Sequence, residues 1–211
     1  ASHELRTPLA VLKGTLEVLI RKPRDQKEYE EKINFCITEV DRLNHMVDQL
    51  LLLARFENQK QNVKQETIYL NALVLDNLTR FSEKSENKKL KIKTEFTEDY
   101  YLISDNYLVS IIISNLISNA IKYSNPNGEI AIELGKTNDE VTFSITDYGV
   151  GIAKNDLDKI FNSFYRSDVS NHPEIKGTGL GLSIVKRLCD LLKLEIAFES
   201  NLKIGTKYVL N

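Results

Sequence analysis

The sequence has few of the residues that would indicate a disulfide framework or a metal centre. It contains no tryptophan, one methionine and two cysteines among 211 residues. Cys36 and Cys189 fall in different helical patterns, with no histidine or cysteine at metal-ligand spacing. We therefore expect both to be reduced, buried thiols in a cytosolic compartment.

Long apolar runs and strong charge of one sign are absent as well. No run approaches the ~20 residues that span a bilayer, and the charged, proline-containing start does not resemble a signal peptide. With 28 basic and 30 acidic side chains, the net charge is −2. We expect no nucleic-acid partner and, in this chain, no membrane attachment. The 42% hydrophobic content is typical of a globular chain with one or two domains.

Heptad spacing dominates residues 1–58. Apolar residues recur in steps of three and four, at Leu5, Leu9, Leu12, Leu16 and Leu19, and again at Ile33, Cys36, Val40, Leu43, Val47, Leu50 and Ala54. Pro23 separates the two patterns, and Asp25 is a typical N-cap residue. The pattern predicts an antiparallel helical hairpin. Dimerisation into a four-helix bundle would cover its apolar stripes; the alternative is packing against the rest of the same chain.

After a polar linker at residues 59–66, helix and strand periodicities alternate. Helices are predicted at 70–81, 105–123 and 180–192, and strands at 89–96, 101–103, 129–135, 141–146, 195–199 and 206–210. The mixture predicts an α+β domain over residues 67–211, with helices on one face of a sheet.

A polar stripe interrupts the most apolar of these helices. Asn115, Asn119 and Lys122 share one face of the predicted helix 105–123. Asparagine carbonyls can bind Mg²⁺, and a lysine one turn further on can meet phosphate charge. The alternative is the solvated face of an amphipathic helix.

Two glycine-rich segments lie further along the chain. In the first, Asp147 is followed by Gly149 and Gly151, which place a carboxylate beside a backbone that a ligand can approach closely. The second, residues 177–182, has three glycines before a helix, where backbone N–H groups can cradle phosphates. It is neither a Walker P-loop nor a clear dinucleotide fingerprint. An ordinary turn is the alternative for each segment.

The N-terminus carries a histidine that points away from the heptad seam. His3 and Thr7 share the outward face of the first helix, and Glu4 is adjacent. Pro8 should kink the helix beside these groups. The alternative is an idle surface histidine.

Taken in order, these segments closely resemble the motifs of sensor histidine kinases of two-component signalling. Residues 2–9 resemble the phosphoacceptor H-box, residues 115–124 the N-box, and residues 147–151 the first glycine box. Residues 161–166 resemble the F-box and residues 177–182 the second glycine box. The resemblance covers the chain from residue 2 to about residue 187.

This resemblance implies a fold and a ligand. The hairpin would be a dimerisation and phosphotransfer domain, followed by an α/β sandwich that binds ATP and Mg²⁺ and shares its fold with gyrase and DNA-repair ATPases. Asp147 would accept from the adenine amino group, Tyr123 would lie along the base, and Asn119 assisted by Asn115 would hold Mg²⁺. The remaining implied contacts to the nucleotide come from Lys122, Gly149, Gly151, Arg166, Gly177, Thr178, Gly179, Leu180 and Gly181.

The implied activity is that of a protein-histidine kinase. His3 would take the γ-phosphoryl group, with Glu4 fixing its tautomer, and pass it to an aspartate of a response-regulator receiver domain. Thr7 would orient water when the regulator is dephosphorylated. Gyrase-like relatives carry a water-activating glutamate where this chain has Asn115, which argues against efficient ATP hydrolysis.

The same residues leave alternatives open. Only two residues precede His3, which suggests a first helix cut short and allows a catalytically idle nucleotide-binding fragment. A gyrase-type ATPase and a protein acting mainly as a regulator phosphatase are the others. The family implies the cytoplasmic portion of an inner-membrane sensor, reaching the membrane only through segments not seen in this chain.

Overall fold

A computed structural model describes residues 2–57, 63–137, 140–167, 175 and 177–211, with the side chains at 2–4, 56, 57 and 137 left undescribed. The chain divides into two compact units, a hairpin unit (Ala1–Glu57) and a sheet unit (Asn58–Asn211). Over the described ranges, every helix is too short or too polar to traverse a bilayer.

The hairpin unit consists of two long helices, α1 (Ser2–Ile20) and α2 (Gln26–Glu57). Asp25 caps α2, because its Oδ1 accepts the backbone N–H of Glu28 at 2.8 Å. Arg24 pairs with Glu28 and donates to the carbonyl of Val18 at 3.3 Å, which fastens the end of α1 to the start of α2. The predicted hairpin and cap are thereby confirmed.

Only part of the predicted seam is buried within the hairpin. Leu12, Leu19 and Cys36 are buried, whereas Leu9, Leu16, Ile33, Val40 and Val47 are exposed. The apolar residues of α2 fall on two adjoining faces, since Cys36 and Met46 point inward while a second row points outward. We call that second row the open stripe, and its members are between 42% and 53% exposed: Ile33, Ile37, Val40, Val47 and Leu51.

The sheet unit begins with β1 (Glu66–Tyr69), α3 (Leu70–Arg80), α4 (Ser82–Asn87), β2 (Lys91–Phe96), β3 (Tyr101–Ser104) and α5 (Asn106–Tyr123). It continues with β4 (Glu129–Thr137), β5 (Glu140–Asp147), a 3₁₀ turn (Lys154–Lys159), α6 (Gly181–Leu192), β6 (Ile196–Asn201) and β7 (Gly205–Leu210). Every predicted helix and strand is present within a few residues. The sequence analysis missed β1, α4 and the 3₁₀ turn, which are too short to show a period; β1 starts at the last residue of the predicted linker.

Among the described strands, five form a sheet in the order β2-β4-β5-β7-β6, and β1 pairs with β3 apart from it. β2 and β4 are parallel, and the other neighbours are antiparallel. α5 packs against α3, α6 and β5, and eight of its apolar side chains are buried. The register aligns Ile132, Ile145 and Tyr208 across the sheet, and the next row places Asp147 between Ile130 and Thr206.

Candidate functional site

A cavity in the sheet unit brings together predicted site residues from distant parts of the sequence. Its lining includes Asn119 and Tyr123 of α5, Asp147 at the end of β5, Gly151, and Arg166. Val150, Tyr165 and Leu182 also line it, and the sequence analysis placed them in motifs without giving them a role. The other lining residues were not expected from the sequence: Ile152, Ile160, Ser167, Ile175, Leu202, Thr206 and Tyr208. The cavity therefore has mostly apolar walls and a few polar groups, as ligand sites usually do.

Asp147 is the buried acid of this cavity. It is 3% exposed and occupies an inward position of β5. Its Oδ1 accepts the backbone N–H of Gly149 at 3.1 Å. Burial raises its pKa to about 6, against the lowering effect of hydrogen bonds from the backbone of Gly149 and Thr206. At neutral pH the carboxylate is thus ionised and able to accept a hydrogen bond from a ligand.

The polar stripe of α5 faces the second glycine segment. Asn119 lines the cavity, and its side chain makes no hydrogen bond within the described residues. The Asn115 amide nitrogen donates to the carbonyl of Ile111 at 2.9 Å, and its oxygen lies 2.8 Å from where a Cβ at Gly181 would be. The Lys122 ammonium sits so close to Gly177 that a Cβ there would overlap it. Asn115 and Lys122 of the predicted stripe therefore face backbone of the glycine segment, and Asn119 faces the cavity.

The first glycine segment is packed onto the end of α5. The Val150 N–H donates to the carbonyl of Tyr123 at 3.1 Å. A Cβ at Gly149 would overlap that same carbonyl oxygen, so no larger residue fits. Gly151 has a φ of +64°, which favours glycine, and its Cα faces the backbone of Asn201. Both glycines thus allow backbone to approach backbone beside Asp147.

The second glycine segment joins the F-box-like residues to the start of α6. Gly179 has a φ of +73°, and its carbonyl accepts the Phe164 N–H at 2.9 Å. Leu180 is fully buried, while Thr178 accepts the Leu180 N–H through its hydroxyl at 3.3 Å. Since α6 begins at Gly181, its unpaired N–H groups and positive dipole end lie next to Asn115. Such a helix start favours a bound anion.

Arg166 lines the cavity close to Tyr123. Its Nη2 donates to the carbonyl of Ile175, which ties together the described residues on either side of positions 168–174. Burial raises the pKa of Tyr123, and the positive charge of Arg166 lowers it again in part. Arg166 is therefore near enough to the cavity to act on a charged ligand.

Thr206 is a site residue that the sequence analysis missed. Its backbone hydrogen-bonds to Asp147, and its hydroxyl lies 2.8 Å from that of Ser200. The Ser200 hydroxyl in turn accepts the Ile152 N–H at 2.9 Å. Only the register of β5 with β7 places Thr206 beside Asp147, so the sequence carried no direct signal for it.

The chemistry of these donors fits a nucleotide with a hard divalent cation. No ligand set of three or more His, Cys, Asp or Glu side chains occurs in the described ranges. Amide oxygens of Asn119 and Asn115, with ligand oxygens and water, suit Mg²⁺ better than a transition metal. A buried carboxylate, cationic side chains and the N-terminus of a helix suit a base with a polyphosphate.

The predicted groups of the hairpin unit are described only in part. Positions 2–7 belong to α1, and Thr7 is exposed, in agreement with the predicted outward face. Pro8 lies inside the helix and is buried. The side chains of His3 and Glu4 are outside the described part of the structure, so their orientation stays a prediction.

Comparisons with known proteins agree on both units. Residues 104–211 match the family "Histidine kinase-, DNA gyrase B-, and HSP90-like ATPase", and residues 1–59 match the "His Kinase A (phospho-acceptor) domain". The sensor-like histidine kinase SenX3 of Mycolicibacterium smegmatis is 31% identical over 188 residues, 89% of this chain and 49% of that protein. The histidine-protein kinase ArlS of Staphylococcus aureus is 31% identical over 220 residues, 99% of this chain and 46% of its own. The chain spans about half the length of these curated relatives.

Solved structures with the same fold are histidine kinases. Histidine kinase AdeS of Acinetobacter baumannii superposes with a TM-score of 0.78 and 27% identity over 99% of this chain and 95% of its own. Histidine kinase ThkA, solved in complex with response regulator protein TrrA, has a TM-score of 0.79 and 24% identity over 99% of this chain and 58% of its own. At 24% identity, the likeness to ThkA shows the fold alone.

Proposed function

The chain belongs to the sensor histidine kinase family, and on that premise we propose that it phosphorylates its own His3 from Mg-ATP. In this proposal residues 1–58 are the phosphotransfer hairpin, 59–66 the linker and 67–211 the ATP-binding domain. The observation that carries it is the cavity of the sheet unit, which brings the buried Asp147 carboxylate together with the Asn119 amide and the Arg166 guanidinium.

The base of ATP would occupy the apolar part of the cavity. The Asp147 carboxylate would accept from the adenine amino group, since it is ionised at neutral pH and already held by the Gly149 N–H. The ring of Tyr123 would lie along the base. A buried charge-assisted hydrogen bond of this kind is both strong and selective for the amino group.

The phosphates would lie between the α5 stripe and the start of α6. Lys122 and Arg166 would offset their charge, and Asn119 with Asn115 would hold Mg²⁺, which supplies further positive charge when bound. The segment of residues 177–181, which includes Thr178 and Leu180, would cradle the phosphate oxygens together with the first backbone N–H groups of α6. Positioning and charge neutralisation are most of what phosphoryl transfer requires.

The phosphoryl acceptor would be the imidazole of His3. One ring nitrogen attacks the γ-phosphorus as the bond to the bridging oxygen of the β-phosphate breaks, so phosphohistidine and ADP are formed. Glu4 would accept the N–H of the other ring nitrogen and stabilise its developing positive charge. Asn115 is neutral and donates to the Ile111 carbonyl, so it does not act as a general base for water. Transfer to protein is thereby favoured over hydrolysis.

We propose a response-regulator receiver domain as the next acceptor and the cytoplasmic face of an inner-membrane sensor as the location. The solved complex of ThkA with TrrA supports the first, and the names of the related sensor kinases support the second. Thr7, exposed on α1, would orient water for dephosphorylation of the regulator.

Transfer of labelled phosphate from Mg-ATP to the chain tests this function. We expect acid-labile, base-stable label in the unmodified chain and none in His3→Gln. Thr7→Ala is the matched control one turn away: it should keep the label and lose only the dephosphorylation of a phosphorylated regulator. Nucleotide binding without any label would instead favour an idle fragment, and release of free phosphate without label would favour an ATPase of the gyrase type.

The open stripe supports a homodimer as the working assembly. It places five large apolar side chains outward on α2, at steps of four, three, seven and four residues, which keep them on one face of the helix. Burying a second copy of the same stripe would complete a four-helix bundle. The occupant that we propose is therefore a second hairpin unit.

Charges placed in the open stripe should separate the dimer. Val40→Asp with Val47→Asp would bury four carboxylates per dimer, and we expect association to weaken by about a hundredfold or more. Light scattering after gel filtration measures the mass of the assembly. Thr38→Asp, on an exposed face of α2 away from the stripe, should remain dimeric. A monomeric unmodified chain, or a dimeric double variant, would contradict this interface.

A further inference from the structure

The last turn of α5 is joined to its surroundings through every one of its terminal carbonyls. A helix leaves its last four carbonyls without partners inside the helix. Here the Ala120 carbonyl accepts the Ser124 N–H at 3.0 Å and the Ser124 hydroxyl at 2.7 Å. The Tyr123 carbonyl accepts the Val150 N–H at 3.1 Å. The remaining two are bound by one side chain from elsewhere in the sequence.

That side chain is Lys88, which follows α4. Its ammonium donates to the carbonyl of Ile121 at 3.0 Å, of Lys122 at 2.7 Å and of Ser124 at 3.1 Å. Three bonds use the full donor capacity of an ammonium group. The positive charge also lies at the negative end of the α5 dipole, where it is stabilising.

The backbone of Lys88 is fixed in its turn. Its carbonyl accepts the Asn127 N–H at 2.9 Å, and the Lys91 N–H donates to Gly128 at 2.9 Å. These two backbone hydrogen bonds join the loop after α4, which contains Lys88, to the loop after α5. Lys88 is consequently a rigid support for the end of α5.

The supported turn and the residue directly before it carry groups proposed to meet phosphate and metal. Lys122 lies within the turn, directed at Gly177, and Asn119 comes directly before it and lines the cavity. The base side has other support, because Asp147 belongs to the sheet and is held by Gly149 and Thr206, and the Tyr123 carbonyl is bound by the Val150 N–H and not by Lys88. Loss of the Lys88 bonds should therefore disturb one end of the nucleotide site and spare the other.

We propose that Lys88 is a positioning residue for the phosphate and metal end of the nucleotide site. It touches no nucleotide, but sets the direction of the end of α5, from which Asn119 and Lys122 project. This inference rests on the proposed function. Affinity for the phosphates would then depend on Lys88, which is 34 positions before Lys122 in the sequence. The Lys88 ammonium lies 2.7 Å from the Lys122 carbonyl oxygen.

Calorimetric titration of the full chain with Mg-AMPPNP and with adenosine tests this role. In Lys88→Met we expect the affinity for Mg-AMPPNP to fall about tenfold, the scale of a lost hydrogen bond to a charged group, and that for adenosine to change less than about twofold. Lys89→Met removes the same charge from the exposed neighbouring side chain and should leave both affinities unchanged. Lys88→Gln keeps a donor without the charge, is less disruptive to folding, and should give an intermediate loss for Mg-AMPPNP alone.

Equal losses for the two ligands, or no loss for either, would overturn the positioning role. An unmodified chain that binds neither ligand would instead contradict the proposed function, and this inference with it. The adenosine titration therefore separates the two failures.

Discussion

Asp147→Asn should abolish nucleotide binding without unfolding the protein. The Asp147 carboxylate is buried and offers the cavity an ionised acceptor. An asparagine in the same place would present a neutral amide. If the amide oxygen accepts the Gly149 N–H, the amide nitrogen faces the adenine amino group, and two donors then meet. We expect ATP affinity to fall by about a hundredfold or more, as for other buried charge-assisted hydrogen bonds.

The same substitution should raise the stability of the nucleotide-free protein. The pKa of Asp147 rises from 3.8 to about 6 on folding, because burial disfavours the charged form. Ionisation therefore opposes folding increasingly as the pH rises from 3.8 to 6, and at pH 8 the neutral asparagine escapes the full cost, on the order of 3 kcal/mol. The advantage of the variant should shrink as the pH falls from 6 toward 3.8 and vanish below that.

Thermal unfolding at pH 8 and pH 4, beside calorimetric titration with ATP, measures both effects. Asp190→Asn is the matched control, since Asp190 is exposed and pairs only with Lys186 in the described residues. It should change neither the affinity nor the pH dependence of unfolding. An Asp147→Asn chain that binds ATP normally would contradict the role given to Asp147. So would a stability advantage of the variant over the unmodified chain that is smaller at pH 8 than at pH 4.

Gly149→Ala should damage both the fold and the nucleotide site. The added Cβ would overlap the Tyr123 carbonyl oxygen, which is backbone and already accepts the Val150 N–H. No side-chain rotation relieves this overlap, so the loop has to separate from the end of α5. We expect a loss of about 3 kcal/mol in unfolding free energy, the upper range for overpacking, together with loss of ATP binding.

Gly14→Ala provides the control for that prediction. Gly14 lies within α1 and has no atom within 4 Å of the position of a Cβ. Alanine there should stabilise the hairpin unit by up to about 1 kcal/mol, because glycine is a poor helix former. Urea unfolding of both variants gives the comparison. Equal stability of Gly149→Ala and the unmodified chain would mean that the glycine box is not packed onto α5 as described.

The larger elements and the family were predictable from the sequence because each depends on a local pattern. The steps of three and four in α1 and α2 predict a hairpin, and the alternation in β4 and β5 predicts paired strands; both are confirmed. The family predicted from five motifs is confirmed by the comparisons. The site residues have stayed proposals, although the structure gathers Asn119, Tyr123 and Asp147 around one cavity.

What could not be predicted depends on contacts between distant residues. Lys88 has the sequence context of any surface lysine, and only the fold brings its ammonium to the carbonyls of α5. Thr206 meets Asp147 through strand register, which no short pattern encodes. The division of α2 into a buried face and an open stripe likewise needs the position of α1, since both faces are apolar in the sequence.

The central claim is that phosphate from the nucleotide site reaches His3 and no neighbouring side chain. Tandem mass spectrometry of the chain after incubation with Mg-ATP, with digestion and fragmentation at neutral to basic pH, tests it most directly. We predict the phosphoryl group on the peptide of residues 1–6, located on His3, and absent from that peptide in Asp147→Asn. Phosphate on Ser2, phosphate on the peptide that begins at Thr7, or no phosphate on either peptide would contradict the claim.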